Sequence, residues 1–140
     1  MKFTRKAHTN WKGTGKDGKG TVSTESTTLD NAQLSFKTRF EDGVGTNPEE
    51  LIGAAHSGCY TMQLSFHISE KGYTPEDLTT EAQVTFEDGT ITKIHLKLEA
   101  NVPGLSEQDF QELANKAKEN CPVSKLLKAA EITLSATLIV

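Results

Sequence analysis

The sequence predicts an α+β domain, and three observations carry that prediction. Asp88-Gly89 separates two segments of alternating apolar residues, which reads as a hairpin with a two-residue turn. A helical pattern runs from Asn47 to about Lys71, between a start signal and a stop signal. A second helical segment is followed by ITLSATLIV (132–140), a strand-like end. Strands and helices come in runs, in the order βββ-α-ββ-α-β, so an antiparallel sheet with few helices is expected.

The elements follow in chain order. TVSTEST (21–27) and AQLSFKTRF (32–40) are rich in Thr, Ser, Val and Phe, and the turn residues DNA (30–32) join them as a hairpin. GTGKDGKG (13–20) matches G-x-G-x-x-G through Gly13, Gly15 and Gly18. No helical pattern follows it, so it reads as a hairpin loop and not as a dinucleotide site. Asn47 is a good N-cap, Pro48 fits the first helical position, and Glu50 stands where a capping box places its carboxylate. Leu51, Ile52, Ala55, Cys59, Met62 and Phe66 recur at helical spacing, and Gly72 is a natural stop. At roughly 1.5 Å per residue this helix is about 35 Å long. Ala82, Val84 and Phe86 alternate on one side of Asp88-Gly89, and Ile94, Leu96 and Leu98 on the other. Ser106, with Asp109 three residues on, opens a helix over about 106–119, which Cys121-Pro122 ends. VSKLLKAAE adds a further helical turn.

The 140 residues suit a single domain, 1–140, with no linker or repeat. A hydrophobic content of 35% with 24% charged residues places the chain among globular rather than disordered proteins. A net charge of −4 argues against nucleic acid as a partner. No apolar run approaches a membrane span, and MKFTRKAHTNWKG lacks the apolar stretch of a secretory signal, so the cytoplasm is the expected location.

The chemistry centres on NPEELIGAAHSGCY (47–60), a helix of small residues that carries a thiol. The two cysteines, Cys59 and Cys121, lie 62 positions apart, so only folding brings them together. Three readings stand side by side: inert buried thiols, a metal pair, and a redox pair. His56 and Cys59, at i and i+3, share a helical face and can ligate a metal with Cys121 as a third ligand, although no fourth ligand is evident nearby. A histidine packed against a neighbouring helix is the plainer account of His56. Cys121, in KENCPVS, stands at a helix break that lets a thiol move. Arg39, at the end of a strand-like run, is a permanent cation of the kind that lowers a thiol pKa, and Glu49 can aim it by a bidentate pair. Tyr60, Met62 and Phe66 are candidates to wall an apolar pocket. Glu49 and Cys59 are roughly 15 Å apart along a straight helix, so they share a site only where two copies of the helix cross. A two-fold dimer then carries two equivalent sites.

The stretches AHTNWKG, KGTVSTES, FKTRFEDGVGTNPEELIGAAHSGCY, ITKIHLKLEANVPGLSE and KAKENCPVSKLLKAAEITL extend over most of the chain. They strongly resemble the OsmC/Ohr family of bacterial thiol peroxidases, its OsmC branch in particular. The resemblance implies that Cys59 is the peroxidatic cysteine, that Cys121 resolves it as a disulfide, and that Arg39 and Glu49 are the active-site arginine and its partner. It implies an OsmC-like fold, with antiparallel sheets wrapped around central helices in an intertwined homodimer whose sites lie at the interface. It also implies reduction of organic hydroperoxides in oxidative or osmotic stress defence, without metal or other cofactor. The electrons are expected from a dithiol such as dihydrolipoamide or a lipoylated protein. The alternatives are a metal-binding module using His56, Cys59 and Cys121, and a structural or ligand-binding dimer with inert cysteines.

Overall fold

A computed structural model of the chain describes residues 1–139. Its elements run β1 (Ala7–Lys12), β2 (Lys19–Thr24), β3 (Ala32–Leu34), α1 (Phe36–Phe40), α2 (Pro48–Glu70), β4 (Asp77–Glu87), β5 (Thr90–Asn101), α3 (Glu107–Asn120), α4 (Pro122–Leu126) and β6 (Glu131–Leu138). The chain forms two compact units, one ending at Leu51 and one beginning at Ile52. The mixed α+β class is as the sequence predicts. Val140, the last residue of the expected final strand, lies outside the described residues.

In the first unit β1, β2 and β3 form an antiparallel meander in that order. The Gly-rich stretch is the β1–β2 loop, closed by the Gly18 N–H donating to the Thr14 carbonyl. Two strand expectations need correction. The segment 21–27 stops pairing at Thr24, because Thr24 turns its hydroxyl and backbone to close a loop with Leu29 and Thr27. The segment 32–40 is strand only to Leu34, and Phe36–Phe40 is helix. Ser35 caps that helix: its hydroxyl accepts from the Thr38 N–H at 3.2 Å, and the Thr38 hydroxyl accepts from the Ser35 N–H at 2.8 Å. Thr38 thus fills the role a Glu or Gln usually plays, and this local closure outweighs the β-favouring composition of Phe-Lys-Thr-Arg-Phe.

The ends of α2 follow the sequence signals. The Asn47 side chain accepts from the Glu50 N–H at 2.8 Å, while the Glu50 carboxylate reaches back one residue further, to the Thr46 hydroxyl at 2.8 Å. Gly72, at φ 95°, ends the helix. Its N–H donates to Ser69 O and the Tyr73 N–H to Ile68 O, the paired bonds of a Schellman motif.

In the second unit the sheet order is β4-β5-β6. Asp88 and Gly89, both at positive φ, make the two-residue turn between antiparallel β4 and β5. β6, however, pairs with β5 in parallel, with His95 opposite Thr133 and Leu96 opposite Leu134. The wholly antiparallel expectation is therefore corrected. The physical reason is the crossover: α3 and α4 lie between β5 and β6 and carry the chain back to the starting edge. The inner sheet face, with Ile94, Leu96, Leu98 and Ala100, packs with Tyr60, Leu64 and Ile68 of α2 and Phe110, Leu113, Ala114 and Ala117 of α3. That core fixes α2 against the end of α3.

Candidate functional site

Cys59 projects from α2, and Cys121 stands at the corner between α3 and α4. Cys121 closes α3, its N–H donating to the Ala117 carbonyl, and it precedes Pro122, which opens α4 where a missing N–H costs nothing. The corner sets the Cys121 sulfur 2.9 Å from the Cys59 sulfur, with both thiols free. An S–S bond is about 2.05 Å long, so closure needs less than roughly 1 Å of movement. Cys121 is fully buried and Cys59 is half-buried, so an outside reagent meets Cys59 first. Burial pushes the Cys59 thiol pKa up, the hydrogen bond with Cys121 adds to this, and a backbone bond from Val123 works the other way. Burial and the Cys121 bond thus favour the thiol form of Cys59.

His56 is also fully buried, one turn before Cys59. Its Nε2 lies 2.7 Å from Oγ of Ser124, in the first turn of α4, and its buried Nδ1 meets no hydrogen-bond partner among the described residues. A hydroxyl thus engages one ring nitrogen, and the other faces the core. Burial lowers the His56 pKa, so the ring is neutral at neutral pH. No cluster of three or more His, Cys, Asp or Glu among the described residues is placed to hold a metal ion. The packed-histidine reading describes His56, with α4 as its neighbour.

In the first unit, Arg39 lies in α1 and not at a strand end. Its Nε and Nη2 donate to the same Glu49 oxygen, Oε1, at 3.0 and 2.8 Å. Glu49 sits in the first turn of α2, which the Asn47 cap holds beside α1 through the Asn47 side-chain bond to the Thr38 carbonyl. The arginine remains about one-third exposed, and its guanidinium also lies 5.3 Å from the centre of the Phe40 ring. Trp11, Leu34, Phe36, Phe40 and Pro48 wall a pocket of about 140 Å³ that Arg39 borders. The three aromatic residues were not legible as a pocket, since they come from two separate elements, β1 and α1, and share no motif.

The expectation that Tyr60 walls an apolar pocket needs correction. Tyr60 is fully buried in the core, where its hydroxyl donates to the Ala114 carbonyl at 3.0 Å. Burial pushes its phenol pKa well up. Met62 and Phe66 point outward, 63% and 59% exposed. With Gly58 they form an outer stripe of α2, and Met62 lines an open groove of about 540 Å³ with Ser57, Gly58, Thr61, Leu78 and Thr80. The small residues divide: Gly53 packs on β4, where a Cβ would meet the Ala82 carbonyl at 3.4 Å, and Gly58 has open space before it.

No helix among the described residues is long and apolar enough to cross a membrane. The family profile described as OsmC-like protein matches residues 40–136, from the end of α1 into β6. The chain belongs to the OsmC-like family. This OsmC-like chain is 49% identical over 138 residues to Peroxiredoxin OsmC of Escherichia coli (strain K12), a match covering 96% of each protein. It is 32% identical over 110 residues to the organic hydroperoxide resistance protein OhrB of Bacillus subtilis (strain 168), covering 76% of this chain and 79% of OhrB. The crystal structure of OhrB from Bacillus subtilis superposes with a TM-score of 0.70 at 26% identity, over 98% of each chain. An OsmC-like protein from Mycoplasma pneumoniae superposes with a TM-score of 0.79 at 15% identity over all of both chains, a likeness of fold alone. The α+β arrangement described above is therefore the OsmC-like fold.

Proposed function

We propose that this OsmC-like protein is a thiol peroxidase that reduces organic hydroperoxides to alcohols, as one 140-residue domain working in a homodimer. The observation that carries the reading is the 2.9 Å approach of the Cys59 and Cys121 sulfurs. Two free thiols held that close, one accessible and one buried, suit a peroxidatic and a resolving cysteine. The names of its relatives, a peroxiredoxin and organic hydroperoxide resistance proteins, support the same chemistry in stress defence.

In this reading the Cys59 thiolate attacks the outer peroxide oxygen. The O–O bond breaks, the alkoxide takes a proton and leaves as an alcohol, and Cys59 becomes a sulfenic acid. The Cys121 thiol condenses with it, releasing water and forming the Cys59–Cys121 disulfide within one chain. A dithiol such as dihydrolipoamide or a lipoylated protein restores both thiols by exchange and leaves as its own disulfide. Arg39 supplies the cation that burial makes necessary, because a guanidinium stays charged and favours thiolate over thiol. Glu49 orients Arg39. Glu49 and Cys59 stand ten positions apart on α2, roughly 15 Å along it, so in this reading the pair serves Cys59 of a partner copy, and the bare outer stripe of α2 at Gly58 supports close approach of that copy. The aromatic pocket beside Arg39 favours alkyl or fatty-acid hydroperoxides, whose chains gain from apolar burial as hydrogen peroxide does not.

The test is steady-state turnover with dihydrolipoamide as reductant. Cumene hydroperoxide should be consumed faster than hydrogen peroxide, and Cys59→Ser should abolish both reactions. Consumption that persists in Cys59→Ser would refute the assignment.

A further inference from the structure

His56 and Cys59 stand three residues apart on α2, and Cys121 and Ser124 stand three residues apart on the corner that faces them. The four side chains make two parallel rungs: Cys59 to Cys121 at 2.9 Å, and His56 to Ser124 at 2.7 Å. The second rung is buried at both ends, with His56 fully buried and Ser124 5% exposed. A hydrogen bond shielded in this way meets no competition from water. It ties the first turn of α4 to α2, beside the bond that the Val123 backbone makes with the Cys59 sulfur. Cys121 precedes that turn directly, so whatever seats the turn seats the Cys121 sulfur.

The tautomer can be assigned from the orphaned nitrogen. If Nδ1 carried the proton, a buried N–H would be left without an acceptor. With the proton on Nε2, the ring donates to Ser124 Oγ, and only a bare lone pair faces the core. His56 thus acts as a fixed donor toward α4.

We propose that His56 and Ser124 are positioning residues that hold the α3–α4 corner against α2 and so keep Cys121 within bonding reach of Cys59. Neither touches the peroxide. Their effect is on how fast and how completely the Cys59–Cys121 bond closes, which sets how long a Cys59 sulfenic acid stays open to a second peroxide. This deepens the peroxidase reading of the same site, but the seating of Cys121 can be measured without any peroxide.

The experiment equilibrates the intact protein with mixtures of glutathione and its disulfide and reads the Cys59–Cys121 disulfide by intact mass. Ser124→Ala should lower the effective concentration of one thiol at the other by about fivefold, the equivalent of one ordinary hydrogen bond, while Ser124→Thr, which keeps the hydroxyl, stays within about twofold of wild type. His56→Gln, which retains an N–H near the Nε2 position, should fall between them. A merely structural role would lower the melting temperature and leave this equilibrium unmoved. If folded Ser124→Ala matches wild type, or if Ser124→Thr fails to restore what Ser124→Ala loses, the inference is wrong. A second arm adds excess cumene hydroperoxide: Ser124→Ala should carry a larger share of Cys59 sulfinic acid than wild type, and an equal share would count against the proposal. If wild type takes up no oxygen and forms no disulfide with hydroperoxide, the peroxidase reading fails, and the glutathione arm still decides whether the rung seats Cys121.

Discussion

Arg39 places two of its N–H donors, Nε and Nη2, on one oxygen of Glu49, at 3.0 and 2.8 Å. The carboxylate is largely covered and the guanidinium is only partly so. Glu49 therefore holds the root of the fork while part of the cation stays accessible. That suits a residue whose charge acts on something outside its own helix pair.

If this cation stabilises the Cys59 thiolate, Arg39→Ala should slow the reaction with cumene hydroperoxide by about tenfold or more near neutral pH, since each unit of thiol pKa is worth a factor of about ten in thiolate. The deficit should shrink as the pH rises and the thiol ionises unaided. Glu49→Gln should show a smaller loss with the same pH trend. Stopped-flow rates across pH check both, and an Arg39→Ala rate equal to wild type at neutral pH would mean that another group supplies the charge.

Cys121→Ser should consume one equivalent of hydroperoxide per chain and then stop. The product should be a sulfenic acid that dimedone traps, passing to sulfinic acid when peroxide is in excess. Equal multi-turnover rates for wild type and Cys121→Ser with dihydrolipoamide would remove Cys121 from the cycle.

Burial of His56 gives a signed pH effect. Its folded pKa lies below the ordinary value of about 6.5, so below that pH the unfolded chain binds a proton more readily than the folded one. The stability held by neutral His56 is complete above about 6.5 and is lost as the pH falls through the folded value. Thermal melts at pH values on either side should show wild type losing more stability on acidification than His56→Gln. An equal loss in both would show that the buried ring does not titrate in this way.

Gly58 tests the crossed dimer. Among the described residues nothing beyond the adjoining helix backbone lies within 4 Å of a Cβ added there, so a Leu side chain has room to extend, and helix propensity alone favours it over Gly by about 0.8 kcal/mol. If two copies cross at this face, Gly58→Leu should nevertheless weaken the dimer, with sedimentation velocity showing monomer at concentrations where wild type is dimeric. A variant that is only more stable, with unchanged assembly, would place the contact elsewhere.

The features legible in the sequence are those that local chemistry decides. Asn47 and Pro48 at the start of α2, Gly72 at its end, Ser106 before α3 and the Asp88-Gly89 turn each act within a few residues. Phe36–Phe40 went astray because its aromatic and Thr content favours a strand, while the deciding contact is the reciprocal Ser35–Thr38 cap. Tyr60 read as a pocket wall because burial depends on which side of α2 meets the sheet, and a buried set that includes Gly53, His56, Tyr60, Leu64 and Ile68 is too mixed in polarity to mark a face. The parallel β5–β6 pair and the His56–Ser124 bond are non-local, and only the matched three-residue spacings, 56 with 59 and 121 with 124, hinted at the second.

The central claim is that the Cys59 and Cys121 thiols are a working redox pair. Its most direct measurement is the intact mass of the reduced protein after one equivalent of cumene hydroperoxide. The account predicts a loss of about 2 Da with no retained oxygen, from closure of one disulfide within each chain. An unchanged mass with both thiols still titratable would contradict it.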